Sequence, residues 1–215
     1  MKKYLKLLIL PAIILALAII LLVTNMPHLE YQYSNAYEGY IVTKAVGNAE
    51  YYEIKETYKN KPVVGIGENA FSEHSNLKEI TLPESLIHIG RRAFFECKNL
   101  SSINLENVYE IERTAFAYCD ALTEVSVGAS FIGASAFYDC KSLKKIVLAN
   151  TIIISDMAFA KTIIQTIKIP ATVTTFGDDV FDECYALAEI NVYGTNLKNN
   201  EYLNSLAIVN YINKE

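Results

Sequence analysis

Apolar residues recur along this chain in a fixed order that is neither helical nor strand-like throughout. Ile66, Ile89, Ile111, Ile132, Ile154 and Phe176 each stand five residues before a phenylalanine: Phe71, Phe94, Phe116, Phe137, Phe159 and Phe181. The phenylalanines are spaced by 23, 22, 21, 22 and 22 residues. Each follows a small residue (Ala70, Ala93, Ala115, Ala136, Ala158), except that Val180 precedes the last. Glycine follows the first apolar residue at Gly67, Gly90, Gly133 and Gly177, with Glu112 and Ser155 as departures.

The second half of the unit repeats as well. Leu77-x-x-Ile80-x-Leu82 is matched by Leu100-x-x-Ile103-x-Leu105, Leu122-x-x-Val125-x-Val127 and Leu143-x-x-Ile146-x-Leu148. Ile164-x-x-Ile167-x-Ile169 and Leu187-x-x-Ile190-x-Val192 complete the set. Its alternating end predicts a short strand with one face inward. Pro83 and Pro170 follow two of these strands and stop them, because proline has no N–H for the ladder. The Ala-Phe-x-x-Cys-x-x-Leu segment has an apolar residue every third position and predicts a tight helical return. One unit cannot bury its own apolar edge, so the units must stack.

The block I-G-x-x-A-F-x-x-C-x-x-L-x-x-I-x-L, in six tandem near-copies, resembles the BspA-like leucine-rich-repeat family of cell-surface proteins. The expected fold is therefore an α/β repeat solenoid. It would be a stack of about six 21–23-residue turns, with a parallel β-sheet on one face and short helical or 3₁₀ returns, preceded by one transmembrane helix. The solenoid is assigned to residues 63–195. Residues 38–62 are an N-terminal cap, with strands at 40–43 and 51–58 around a Gly47-Asn48 turn. Residues 196–215 are a C-terminal cap, helix or strand.

The N-terminus is a separate object. Residues 7–23 (LLILPAIILALAIILLV) carry no charge, and as a helix would span about 25 Å. Lys2, Lys3 and Lys6 precede them, so the positive-inside rule places residues 1–6 in the cytoplasm and the repeats outside. The segment reads as a signal anchor, with a cleaved signal peptide and a secreted product as the alternative; residues 24–37 would be a tether. Net charge is −5, and the basic N-terminus makes the remainder more acidic still. An acidic, tryptophan-free body argues against nucleic acid as a partner.

Candidate chemistry is sparse. Cys97, Cys119, Cys140 and Cys184 each lie three residues after their phenylalanine, as one column of the stack. Buried thiols fit that register, with a disulfide between neighbouring turns as the alternative. His74 occupies the same column in the first unit. His88 lies between Ile87 and Ile89, so alternation turns it outward. The acidic run from Gly177 to Glu183 reads as a solvated helix start rather than a calcium loop. Asn99-Leu100-Ser101 fits a glycosylation sequon. No nucleophile elbow, phosphate loop or zinc-protease motif occurs, so neither catalytic residues nor cofactor or metal ligands are assigned.

Two outward columns of the strands form the candidate ligand face. They comprise Glu79, Ser102, Glu124, Lys145 and Glu189, and Thr81, Asn104, Ser126, Lys168 and Asn191, with Thr166 and Val147 completing them. The tyrosines near the N-terminal cap are a second candidate surface. The family resemblance implies a non-catalytic, surface-exposed protein that binds a protein or glycan. A structural subunit of an envelope complex is the alternative.

Overall fold

The structure is a computed structural model that describes residues 13–15, 26–206 and 208–212. The chain winds into a β-solenoid of about eight coils with almost no helix. The first ladder runs β1 (His28–Ser34), β2 (Gly39–Val46), β5 (Lys61–Ile66), β7 (His88–Ile89), β8 (Glu110–Ile111), β10 (Phe131–Ile132), β12 (Ile153–Ile154) and β14 (Thr175–Phe176). The β1–β2 pair is antiparallel, and every later pair on this path is parallel. A short strand, β4 (Thr57–Tyr58), pairs with β5 from the side.

The alternating x-Ile-x-Leu segments build a second face. They are β3 (Tyr51–Glu53), β6 (Glu79–Thr81), β9 (Glu124–Val127), β11 (Lys145–Leu148), β13 (Thr166–Ile169) and β15 (Glu189–Tyr193), followed by β16 (Val209–Ile212). The pairs β3–β6, β9–β11, β13–β15 and β15–β16 are all parallel. Single bridges, Glu79 to Ser102 and Leu105 to Val127, carry this face past residues 102–105. Parallel strands therefore occupy two faces of each coil, where the sequence led us to expect one.

The third side corrects the expectation of helical or 3₁₀ returns. The residues two before and two after each repeat phenylalanine have φ between +53° and +64°: Asn69 and Glu73, Arg92 and Glu96, Thr114 and Tyr118, Ser135 and Asp139, Met157 and Lys161, Asp179 and Glu183. Left-handed residues at that spacing interrupt any right-handed helix. The backbone instead alternates its donors. Ala93 N–H bonds Gly90 O within its own coil, while Phe94 N–H bonds Ala115 O of the next coil at 2.8 Å. Phe71, Phe116, Phe137 and Phe159 make the same inter-coil bond, at 2.8–3.0 Å. The apolar spacing of three was real; its cause is a run of linked turns. The run Gly177–Glu183 is such a turn and not a helix start. The one helix of the described repeat region, α1 (Glu201–Ser205), is capped by Asn200, whose side chain accepts from Leu203 N.

The core lies between the three sides. The six phenylalanine rings form one continuous column, with centroids 5.1 Å apart from Phe71 through Phe137 and 5.8–6.0 Å apart onward to Phe181. Five of these rings are fully buried, each worth about 1.5–3 kcal/mol relative to exposure. The small residue before each ring faces inward beside the inter-coil bond, and Ala93, Ala115, Ala136 and Ala158 are fully buried. The Ile-Gly signature has a close-approach cause: a Cβ at Gly133 would lie 2.6 Å from Arg113 N of the preceding coil.

The ends also differ from expectation. The stretch read as a tether contains β1, which pairs along β2. The cap strands β2 and β3 do not pair with each other. Gly47, at φ +87°, turns the chain from one face to the next, so residues 39–58 form a further coil. The C-terminal cap holds both α1 and β16, and β16 extends the second face. The expected transmembrane helix at residues 7–23 is not supported, because no helix among the described residues is long and apolar enough to cross a membrane. Residues 7–12 and 16–23 of that segment lie outside the described residues.

Candidate functional site: the polar strand face

Strand alternation sets the site. Ile80, Val125, Ile146, Ile167 and Ile190 point into the core, and their neighbours point out. The structure brings all ten sequence-assigned residues onto one face. Glu79, Thr81, Ser102, Asn104, Glu124, Ser126, Lys145 and Lys168 are exposed, and Glu189 and Asn191 are partly so. Register aligns them as ladders, with Glu124 beside Lys145, Thr166 beside Glu189, and Lys168 beside Asn191.

Two shallow grooves lie side by side in this face. One, of about 360 Å³, is lined by Ser102, Asn104, Glu124 and Ser126; the other, of about 400 Å³, by Thr166, Lys168, Glu189 and Asn191. Lys145 and Val147 line both and form the ridge between them. The Lys145 ammonium sits 3.2 Å from Glu124. The grooves thus offer hydroxyls, amides and both signs of charge around one exposed valine, which suits hydrogen-bonded recognition of a polar ligand.

The sequence-derived columns stop short of both ends of this face. Tyr51 stands in register with Glu79, and its hydroxyl lies 3.0 Å from Thr81 Oγ1. It supplies the exposed aromatic that the assigned columns lacked. Extending the Ile80 column back to Tyr52 would have found it. At the other end Asn210 donates to Glu189 Oε1 at 3.1 Å, placing β16 on the same surface.

The cysteine column has no role in this face. All four thiols are free and buried. Each donates to the phenylalanine carbonyl of the preceding coil: Cys97 to Phe71 O, Cys119 to Phe94 O, Cys140 to Phe116 O and Cys184 to Phe159 O, at 3.0–3.2 Å. Burial pushes Cys97 and Cys140 up to about 12, and Cys119 and Cys184 also upward, so these thiols are poor nucleophiles. Thr162 fills the column in the fifth repeat and contacts Cys184 Sγ at 3.3 Å. His74 in the first is half-buried against Tyr52 and Phe71.

His88 corrects its sequence reading. It does point away from the core, but Tyr37 of the β1–β2 turn stacks on it with centroids 5.0 Å apart, leaving it 7% exposed. Among the described residues, His88, Glu110 and Glu112 form the one His/Cys/Asp/Glu group arranged closely enough to hold a metal ion.

Six tandem repeats in this geometry match the family description "BspA type leucine-rich repeat region", over residues 48–151 and 110–212. The chain belongs to this BspA-type leucine-rich repeat family. No curated protein matches it. Among solved structures, a leucine-rich cell surface protein from Faecalibacterium prausnitzii is 27% identical over 78% of this chain, with a TM-score of 0.63. The alignment spans 54% of that protein, so this BspA-type chain corresponds to about half its length. The leucine-rich repeat protein of T. pallidum (22% identity, TM-score 0.60) covers 86% of this chain and 80% of its own. The pneumococcal vaccine antigen PcpA (20%, TM-score 0.53) covers 80% of this chain and 49% of its own. The last two share the fold.

Proposed function

We propose that this BspA-type chain is a non-catalytic binding protein, exposed at the cell surface or outside the cell, that engages a protein or glycan on its polar strand face. The observation that carries this reading is the pair of adjoining grooves that meet at Lys145 and Val147. A rigid stack of parallel strands presents these side chains at fixed spacing, which lowers the ordering cost of binding. Similarity to a cell-surface protein of F. prausnitzii supports the location. Burial of the four thiols removes the cysteines as nucleophiles, which favours a binding role.

The test is capture by the immobilised full chain from panels of purified glycans and extracellular-matrix proteins. Ser126→Arg and Lys168→Glu, one in each groove, are expected to abolish capture with the melting temperature unchanged. Thr174→Arg, outside both grooves, should leave capture intact. Capture that survives both groove substitutions would place binding elsewhere and refute the assignment.

A further inference from the structure

The first ladder carries a second constellation, on a different side of the solenoid from the grooves. Strand register sets Gly65, His88 and Glu110 in one outward row, with Gly65 opposite His88 and His88 opposite Glu110. Glu112 lies two residues beyond Glu110 and therefore projects from the same side. Both His88 and Glu112 break the repeat's habits. Glu112 replaces the glycine found at Gly67, Gly90, Gly133 and Gly177. A Cβ at Gly65 would meet His88 O at 3.2 Å and the His88 ring at 3.4 Å, so the ring lies directly beside Gly65.

Their atoms converge. His88 Nδ1 is 3.2 Å from Glu110 Oε2, and His88 Nε2 is 3.8 Å from Glu112 Oε1. The second distance exceeds a hydrogen bond, so a nitrogen of a nine-tenths-buried imidazole faces a carboxylate without bonding it. Among the described residues, the ion pairs of Glu110 and Glu112 run to this one histidine. The other Glu112 oxygen accepts from Arg91 N at 2.8 Å, while the Arg91 guanidinium is turned to Glu68. The Tyr37 hydroxyl closes the top, 3.3 Å from His88 Nδ1 and 3.5 Å from Glu110 Oε2. Two carboxylates and an imidazole thus lie together beneath one phenol.

We propose that His88, Glu110 and Glu112 bind a divalent transition-metal ion of the zinc type beneath Tyr37 of the β1–β2 turn. One ligand atom from each residue can be chosen so that all lie within 4.8 Å of one another. Tetrahedral zinc with nitrogen and oxygen ligands near 2.0–2.1 Å sets its ligand atoms about 3.3 Å apart. The imidazole gives one nitrogen to the ion, so side chains set within 4.8 Å of one another must close by up to about 1.5 Å to seat it. Imidazole with carboxylate favours zinc over calcium, which prefers six or more oxygens. The fourth position is open to water or to the Tyr37 oxygen.

The test is calorimetric titration of the metal-stripped full chain with zinc sulfate, with calcium chloride as a separate arm. Binding of one zinc per chain is expected, with calcium at least tenfold weaker. His88→Gln and Glu112→Gly should each weaken zinc at least tenfold. Glu112→Gly restores the repeat's own residue and should melt within a degree or two of the metal-free parent; Glu112→Gln gives the same reading without changing the backbone. No zinc binding, binding that survives both substitutions, or calcium binding as tight as zinc would each overturn the proposal. None of these readouts involves the polar face, so the site and the proposed function stand or fall separately.

Discussion

The Cys119 thiol donates to the carbonyl oxygen of Phe94, 3.2 Å away in the preceding coil. Phe94 O also accepts Cys97 N–H, so the carbonyl is held from within its own coil and from the next. The thiol column is therefore inter-coil hydrogen bonding inside a closed core. Alkylating reagents should label none of the four cysteines in the folded protein within minutes, and all four in denaturant. Native labelling of Cys119 at a comparable rate would show that the core opens readily.

The same burial predicts a pH dependence. Folding raises Cys97 and Cys140 from 9.0 to about 12. The protonated thiols' contribution is fully present below about pH 9. Above it the unfolded chain releases protons that the folded chain keeps, so stability falls as pH rises towards about 12. Tyrosines and lysines titrate in that window too, so a difference measurement is needed. The double variant Cys97→Ala with Cys140→Ala should lose less melting temperature between pH 8 and pH 11 than the parent. An equal loss in both would remove the thiols as the cause.

Phe116 is stacked on both sides, against Phe94 and Phe137 at 5.1 Å. Phe116→Ala should cost about 3–5 kcal/mol in denaturant unfolding. Phe181, 6.0 Å from Phe159 and slightly exposed, should cost less. Equal costs would mean that the column does not act as a graded stack.

Thr114 holds φ +54°, where a β-branched residue is strained. Thr114→Gly should stabilise by up to about 1 kcal/mol, the relief exceeding the extra entropy of glycine. Ala115→Gly, at the neighbouring position with ordinary φ, should destabilise. Thermal unfolding of the two variants checks the sign, and a loss of stability in Thr114→Gly would refute strain there.

The Lys145–Glu124 pair is exposed on both sides. Lys145→Ala should change stability by less than about 0.5 kcal/mol, yet weaken ligand capture at the ridge between the grooves. A melting shift of several degrees would make Lys145 structural and weaken its place in the proposed site.

The repeat register was legible because each coil carries the same apolar code, and a core position repeated six times is hard to misread. Phe94, Cys97 and Ile103 fall where their column demands. The form of the return was not legible. Spacing by three fits a helical turn as well as linked turns, and Arg92, Thr114 and Met157 lack the glycine that usually marks a left-handed residue. The groove residues were legible from alternation alone. Tyr51 was grouped with the cap tyrosines rather than the strand columns because residues 39–58 lack the phenylalanine that anchors each repeat. The covering of His88 depends on Tyr37, 51 positions away, and no local pattern announces such a contact.

Hydrogen bonds between coils run along the stacking axis on all three sides of this solenoid, and each coil is tied to its immediate neighbours. A load that pulls the two ends apart acts in line with these bonds and opens them rung by rung. The molecule should therefore yield by peeling, each coil of 21–23 residues releasing about 75 Å of extended chain before the next takes the strain. A load applied across the stack meets many rungs at once. A protein built this way resists sideways drag on a bound partner far better than it resists being unwound from one end.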